Sequence, residues 1–133
     1  MTQQTHPLFK EWLHRLETEE HTRIDGYLSL EGKGGAQCFC ALGVAADVLV
    51  EHGLGQWTQD DGGVRWFTVH GSRLSCASIT QYPLEKLGLG DQDSVAFTDF
   101  VTILNDKISK GKYTHSWPEI ADRIREYVNE ESN

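Results

Sequence analysis

Apolar residues recur along the chain in blocks whose spacing changes from helical to alternating and back. Over residues 7–19, Leu8, Phe9, Trp12, Leu13 and Leu16 fall three and four apart, which predicts an amphipathic helix with His14 and Arg15 on its wetter side. Residues 24–30 alternate in part and read as a short strand, broken by Glu31-Gly32-Lys33-Gly34-Gly35. From Cys40 to His52 the period is helical again, with Leu42, Val44, Ala45, Val48 and Leu49 on a broad apolar face and Gly53 as its stop, so this is expected to be the central helix. Two β-prone runs, residues 57–59 and 64–70, are joined by Asp60-Asp61-Gly62-Gly63 and predict a hairpin.

Further along, Ser78 is placed to cap a short helix running to Leu87, with Gly88 and Gly90 at its exit. A helix is expected over residues 94–108, turning Phe97, Phe100, Val101 and Leu104 inward. Ser116-Trp117-Pro118-Glu119 is a capping box that opens a last helix carrying Ile120, Ala121, Ile124 and Val128. Residues 1–6 and the acidic tail 129–133 are expected to fray. With no repeat, linker or low-complexity tract, the 133 residues read as a single compact α+β domain, about four to five helices around a small antiparallel sheet or hairpin.

Composition narrows the function. A hydrophobic fraction of 38% with four Trp supports one core. The net charge of -8 argues against general nucleic-acid binding, which needs clustered cations to neutralise phosphates, but leaves room for a small anion held by a few aimed donors. No stretch has the length of a membrane span or the makeup of an export signal, so a cytoplasmic protein with no membrane partner is expected. Three cysteines, at 38, 40 and 76, then read as reduced thiols. Cys38 and Cys40 are one residue apart, short of the usual zinc spacing; no metal and no cofactor is expected.

Several pieces in order resemble a family of small phage and prophage proteins. They are Gly26-Tyr27-Leu28, then Cys40-Ala41-Leu42-Gly43-Val44-Ala45-Ala46-Asp47, then Pro83-Leu84-Glu85-Lys86-Leu87-Gly88-Leu89, then Leu104-Asn105-Asp106, and finally Trp117-Pro118-Glu119-Ile120-Ala121-Asp122-Arg123-Ile124. The family's cysteine motif often has Cys where this chain has Ala41 and Ala46, so a chemistry that needs paired thiols is undercut. The family has mostly no assigned activity. The resemblance implies an accessory protein in the cytoplasm of an infected host cell, one that blunts host anti-phage defence.

Each candidate site has a plainer reading beside it. Cys40 opens the central helix, where the helix dipole favours a thiolate, and His70 at the end of the hairpin is the geometric partner for a cysteine hydrolase; an apolar-flanked cysteine is more often an inert core residue, and that is the favoured reading. Asn105 and Asp106 either close their helix by bonding backbone or face a ligand. Asp47 is either a buried partner for an Arg, the reading its apolar neighbours favour, or an exposed solubilising charge. The loop from Lys33 to Gln37 has the glycines and charge of an anion cradle without the Walker spacing. Arg23, Arg65 and Arg73, with Tyr27, Trp57, Trp66 and Tyr113, supply planar cations and aromatic faces. The expected function is therefore non-catalytic sequestration of a nucleotide-derived immune signal by a homo-oligomer, through Arg23, Tyr27, Lys33, Gln37, Trp57, Arg65, Trp66, Asn105 and Asp106. The alternatives are a hydrolase using Cys40 and His70, and an inhibitor that binds a basic host protein.

Overall fold

The computed structural model describes residues 6–18, 22–35 and 37–131. In chain order these form α1 (Pro7–Thr18), β1 (Thr22–Arg23), β2 (Ser29–Glu31), β3 (Gln37–Phe39), α2 (Ala41–Glu51), β4 (Gln56–Gln59), β5 (Val64–Val69), β6 (Ser72–Ser75), α3 (Gln81–Lys86), α4 (Ser94–Asp106), β7 (Ile108–Ser109), β8 (Lys112–Tyr113) and α5 (Trp117–Glu131). The fold is α+β, and α2 is its axis. Residues Ala41 to Ala46 together with Val48 and Leu49 are buried, so this helix is covered nearly all round. It packs on α1 and α4 on one side and on β3 and β4 on the other, while α5 closes over α1 and α4. Small side chains make that central position possible. A Cβ on Gly43 would lie 1.7 Å from the Leu28 carbonyl oxygen, so only glycine lets the start of β2 cross the first turn of α2.

The sheet is larger than the small antiparallel sheet or hairpin expected, and it is mixed. Its order is β1-β3-β2-β5-β4, with β6 also on β5. β1 and β3 are parallel, and the other pairs are antiparallel. β2 pairs with Val64 and Arg65 of β5, and β6 takes over with Phe67 to Val69, the two sharing one edge of that strand. The strand expected over residues 24–30 is divided: β1 ends at Arg23, a bend follows, and only Ser29 and Leu30 of that stretch join β2. β5 and β6 meet at His70 (φ 51) and Gly71 (φ 81), and β7 and β8 at Lys110 (φ 54) and Gly111 (φ 78). Two consecutive positive-φ residues make a turn whose twist matches a hairpin.

Helix ends follow the sequence closely. Past α2, Leu54 N–H donates to Leu49 O and Gly53 N–H to Val50 O, and Gly53 has φ 75. Past α3 the same pair of bonds runs from Leu89 and Gly88. This is the glycine-terminated helix end that Gly53 and Gly88 announced. At α5, Glu119 N–H donates to Ser116 Oγ and Ser116 N–H to Glu119 Oε1, the reciprocal pair of a capping box.

Four expectations are corrected. Ser78 does not cap α3, because its hydroxyl is engaged with Ser75 Oγ at 3.0 Å and Thr80 holds the cap position. The helix expected to reach residue 108 ends at Asp106, where Lys107 turns extended and starts the second hairpin. Residues 129–131 continue α5 instead of fraying; residues 1–5, 132 and 133 lie outside the described set. Arg15 is buried, not wet: its Nη2 is 2.9 Å from Asp47 Oδ2 and its Nη1 3.5 Å from Glu51 Oε2. The pairing expected for Asp47 is met, while its side chain is half-buried.

Candidate functional site

The two ends of α2 hold most of the sequence candidates, and they differ in kind. At the N-terminal end every early backbone donor is already used. Cys40 N–H donates to Leu28 O at 3.2 Å. Ala41 N–H donates to Asn105 Oδ1 at 2.9 Å, and Gly43 N–H to Cys40 Sγ at 3.3 Å. The Leu42 N–H also faces the sulfur. The Trp12 indole bonds Ala41 O at 3.0 Å. The backbone N–H groups of Cys40 to Gly43 are therefore all engaged within the fold and are not free to cradle an anion.

Asn105 is the lock of this end. It is buried, and its amide donates to Ile24 O at 3.0 Å and to Asp106 Oδ1 at 2.8 Å while its oxygen caps α2. Three of its four hydrogen-bonding positions are thus taken by the fold. The side-chain to backbone role expected for Asn105 is real, but it serves a different helix from its own. Asp106, Tyr27 and Cys40 line a cavity of about 30 Å³ beside it, room for a water and not for a nucleotide. Arg23 lies between the rings of Tyr113 and Trp117, 4.5 and 4.3 Å from their centroids; burial pushes its pKa down, and the nearby Tyr113 and Asp106 oppose that.

Burial pushes the Cys40 thiol up to about 11, against the hydrogen bonds that favour its thiolate. His70 is far from it. It lines a groove with Val50 and Gly53 at the other end of α2, and the 11 residues of that helix span about 16 Å. The structure does not bring Cys40 and His70 together.

The C-terminal end of α2 is open. A groove of about 560 Å³ lies between its last turn, the β4–β5 hairpin and α3, lined among others by Gln56, Trp57, Arg65, Thr68, His70 and Tyr82. That volume is within the range of small-molecule sites. The Arg65 guanidinium sits 4.7 Å from the Trp57 ring centroid, and its Nη1 donates to Ser29 Oγ at 3.0 Å. Burial pushes the Arg65 pKa down and the charge of Asp47 opposes that. The Trp57 indole N–H donates to Asp47 Oδ1 at 2.8 Å, the carboxylate that also holds Arg15. Ring and cation are thus held by one half-buried carboxylate and one hydroxyl. Tyr82 donates its hydroxyl to Leu54 O at 3.0 Å, and Lys86 Nζ is 5.3 Å from the Tyr82 ring centroid.

The remaining candidates are elsewhere. Trp66 faces the opposite side of β5, where its indole donates to Asp60 Oδ2 at 3.3 Å and Arg73 lies over its ring. That bond, with the backbone donors of Val64 and Gly62, holds the Asp60 carboxyl below its ordinary range. Gln37 is exposed on β3, opposite Glu31; Lys33 belongs to a tight turn and its side chain lies outside the described residues. Of the nine ligand candidates, only Trp57 and Arg65 line the groove. Gln56, Thr68 and Tyr82, which also line it, were missed. The spacing of Tyr82 and Lys86, one helical turn apart, was the available signal for Tyr82.

A larger groove of about 670 Å³ runs between α1 and α5, but its Arg125 is paired with Glu17 and Asp122. Among the described residues no group of three His, Cys, Asp or Glu side chains forms a metal site, and no helix is long and apolar enough to cross a membrane. Comparison with protein-family models, with curated proteins and with solved structures gave no match.

Proposed function

We propose that the protein binds a small nucleotide-derived anion in the groove at the C-terminal end of α2 and sequesters it without chemistry. The observation that carries this reading is the Arg65 guanidinium held against the Trp57 indole inside an open groove of about 560 Å³. A planar cation on an aromatic face is the pairing that recognises both a phosphate and a base. The acidic surface, with a net charge of -8, discriminates against polyanions while leaving this pocket available to a small ligand. The order of sequence motifs supports a setting in the cytoplasm of a phage-infected cell, with a host immune messenger as the ligand. The separation of Cys40 from His70 and the raised thiol pKa favour binding over the hydrolase alternative.

The test is a thermal-shift panel of cyclic dinucleotides and ADP-ribose derivatives, followed by recovery of any bound compound. A ligand at about 100 times its Kd stabilises by about 2.7 kcal/mol, which raises Tm by several degrees. The expected hit is released chemically unchanged on heating, still binds Cys40→Ser, and loses its shift in Arg65→Gln. No shift and no depletion across the panel, or recovery of a hydrolysed product, contradicts the proposal.

A further inference from the structure

The three most exposed large apolar side chains among the described residues are neighbours in sequence: Val95 (69% exposed) and Ile103 (64%) on α4, and Ile108 (53%) on β7. Val95, Asp99 and Ile103 recur every fourth residue, so they share the outer face of α4, opposite the buried Phe97, Val101 and Leu104. The two ends of this face carry opposite charge. Exposed Asp91 and Asp93 precede the helix, and Lys107, Lys110 and Lys112 follow it, in a run from 107 to 113 that is exposed throughout. Those are three of the six lysines in a chain of net charge -8. None of them makes an ion pair among the described residues.

We infer that a second copy of this chain docks on this face, with the two α4 helices antiparallel about a two-fold axis near Ile103 and Asp99. A parallel arrangement would place lysines against lysines. The antiparallel one sets Asp91 and Asp93 of each copy against the lysine hairpin of the other and brings Val95 over Ile108, and a two-fold axis makes every such contact twice. Acidic copies repel elsewhere, so the lysine hairpin is the surface on which another copy is electrostatically welcome. This interface rests on neither the groove nor its ligand, and gives the expected self-association a definite surface.

Sedimentation velocity over a concentration series reads it. The wild-type chain is expected to dimerise, Ile103→Asp to be monomeric with an unchanged circular dichroism spectrum, and K110E/K112E to weaken the dimer by about tenfold. In the single variant K112E, adding D91K exchanges the signs of the Asp91–Lys112 pair and should recover the dimer that K112E weakens, which a merely misfolded variant would not do. A wild-type monomer at all concentrations, a dimer indifferent to Ile103→Asp, or a lack of rescue by D91K each overturns the inference.

Discussion

One helix, α2, ends in two environments built from similar parts. At its N-terminal end Cys40, Asn105 and Asp106 meet the backbone of Leu28, Ala41 and Ile24; at its C-terminal end Trp57, Arg65 and His70 meet Val50 and Gly53. Both have polar side chains set in apolar surroundings. The difference is where the polar atoms point. In the first they bond backbone and leave about 30 Å³, whereas in the second a carboxylate and a hydroxyl hold the aromatic and the cation beside a groove of about 560 Å³. A motif rich in unusual residues is thus a fold lock at one end of the helix, while the other end keeps an aromatic ring and a cation beside open space.

Gly43→Ala should break the closed end outright. The new methyl meets a backbone oxygen that no rotamer can move, so the loss exceeds about 3 kcal/mol and the variant fails to give a cooperative urea transition. Asp47→Ala attacks the anchor of the open end. It removes the carboxylate shared by the buried Arg15 and the Trp57 indole and is expected to cost about 3 kcal/mol, read as a lower urea midpoint.

Cys40→Ala is the smallest change, about 1 kcal/mol, for the lost bond to Gly43 N–H. It also carries a pH signature. Burial raises the thiol from its ordinary 9.0 to about 11, so the folded state prefers the neutral form more strongly than the unfolded state does. The stability this contributes is whole below pH 9 and is lost as pH rises through about 11. The gap in urea midpoint between wild type and Cys40→Ala should therefore narrow across that window, and the native thiol should resist alkylation at pH 8.

Much of the fold was legible because its punctuation is local. Gly53, Gly88 and the Ser116/Glu119 box act within a few residues of themselves, and such end signals together with periodicity placed all five helices. What was illegible depends on distant residues. β3 has three residues and exists because β1 and β2 flank it, and Arg15 is buried because Asp47, 32 positions away, receives it. The site divides in the same way: residue types identified Trp57 and Arg65, but the same types at Arg23, Tyr27 and Trp66 went to other faces, since composition carries no direction. The signal for the second hairpin, Lys110-Gly111, was present and matches His70-Gly71, a two-residue turn that an X-Gly pair can form.

The central claim concerns which end of α2 receives a ligand. Amide and indole chemical shifts during titration with a compound taken from the thermal-shift panel answer it directly. The Trp57 indole N–H, with the backbone amides of Gln56, Thr68 and His70, should move, while those of Cys40, Ala41 and Asn105 stay in place. Shifts centred on Cys40, Ala41 and Asn105, with the Trp57 indole unmoved, would contradict it.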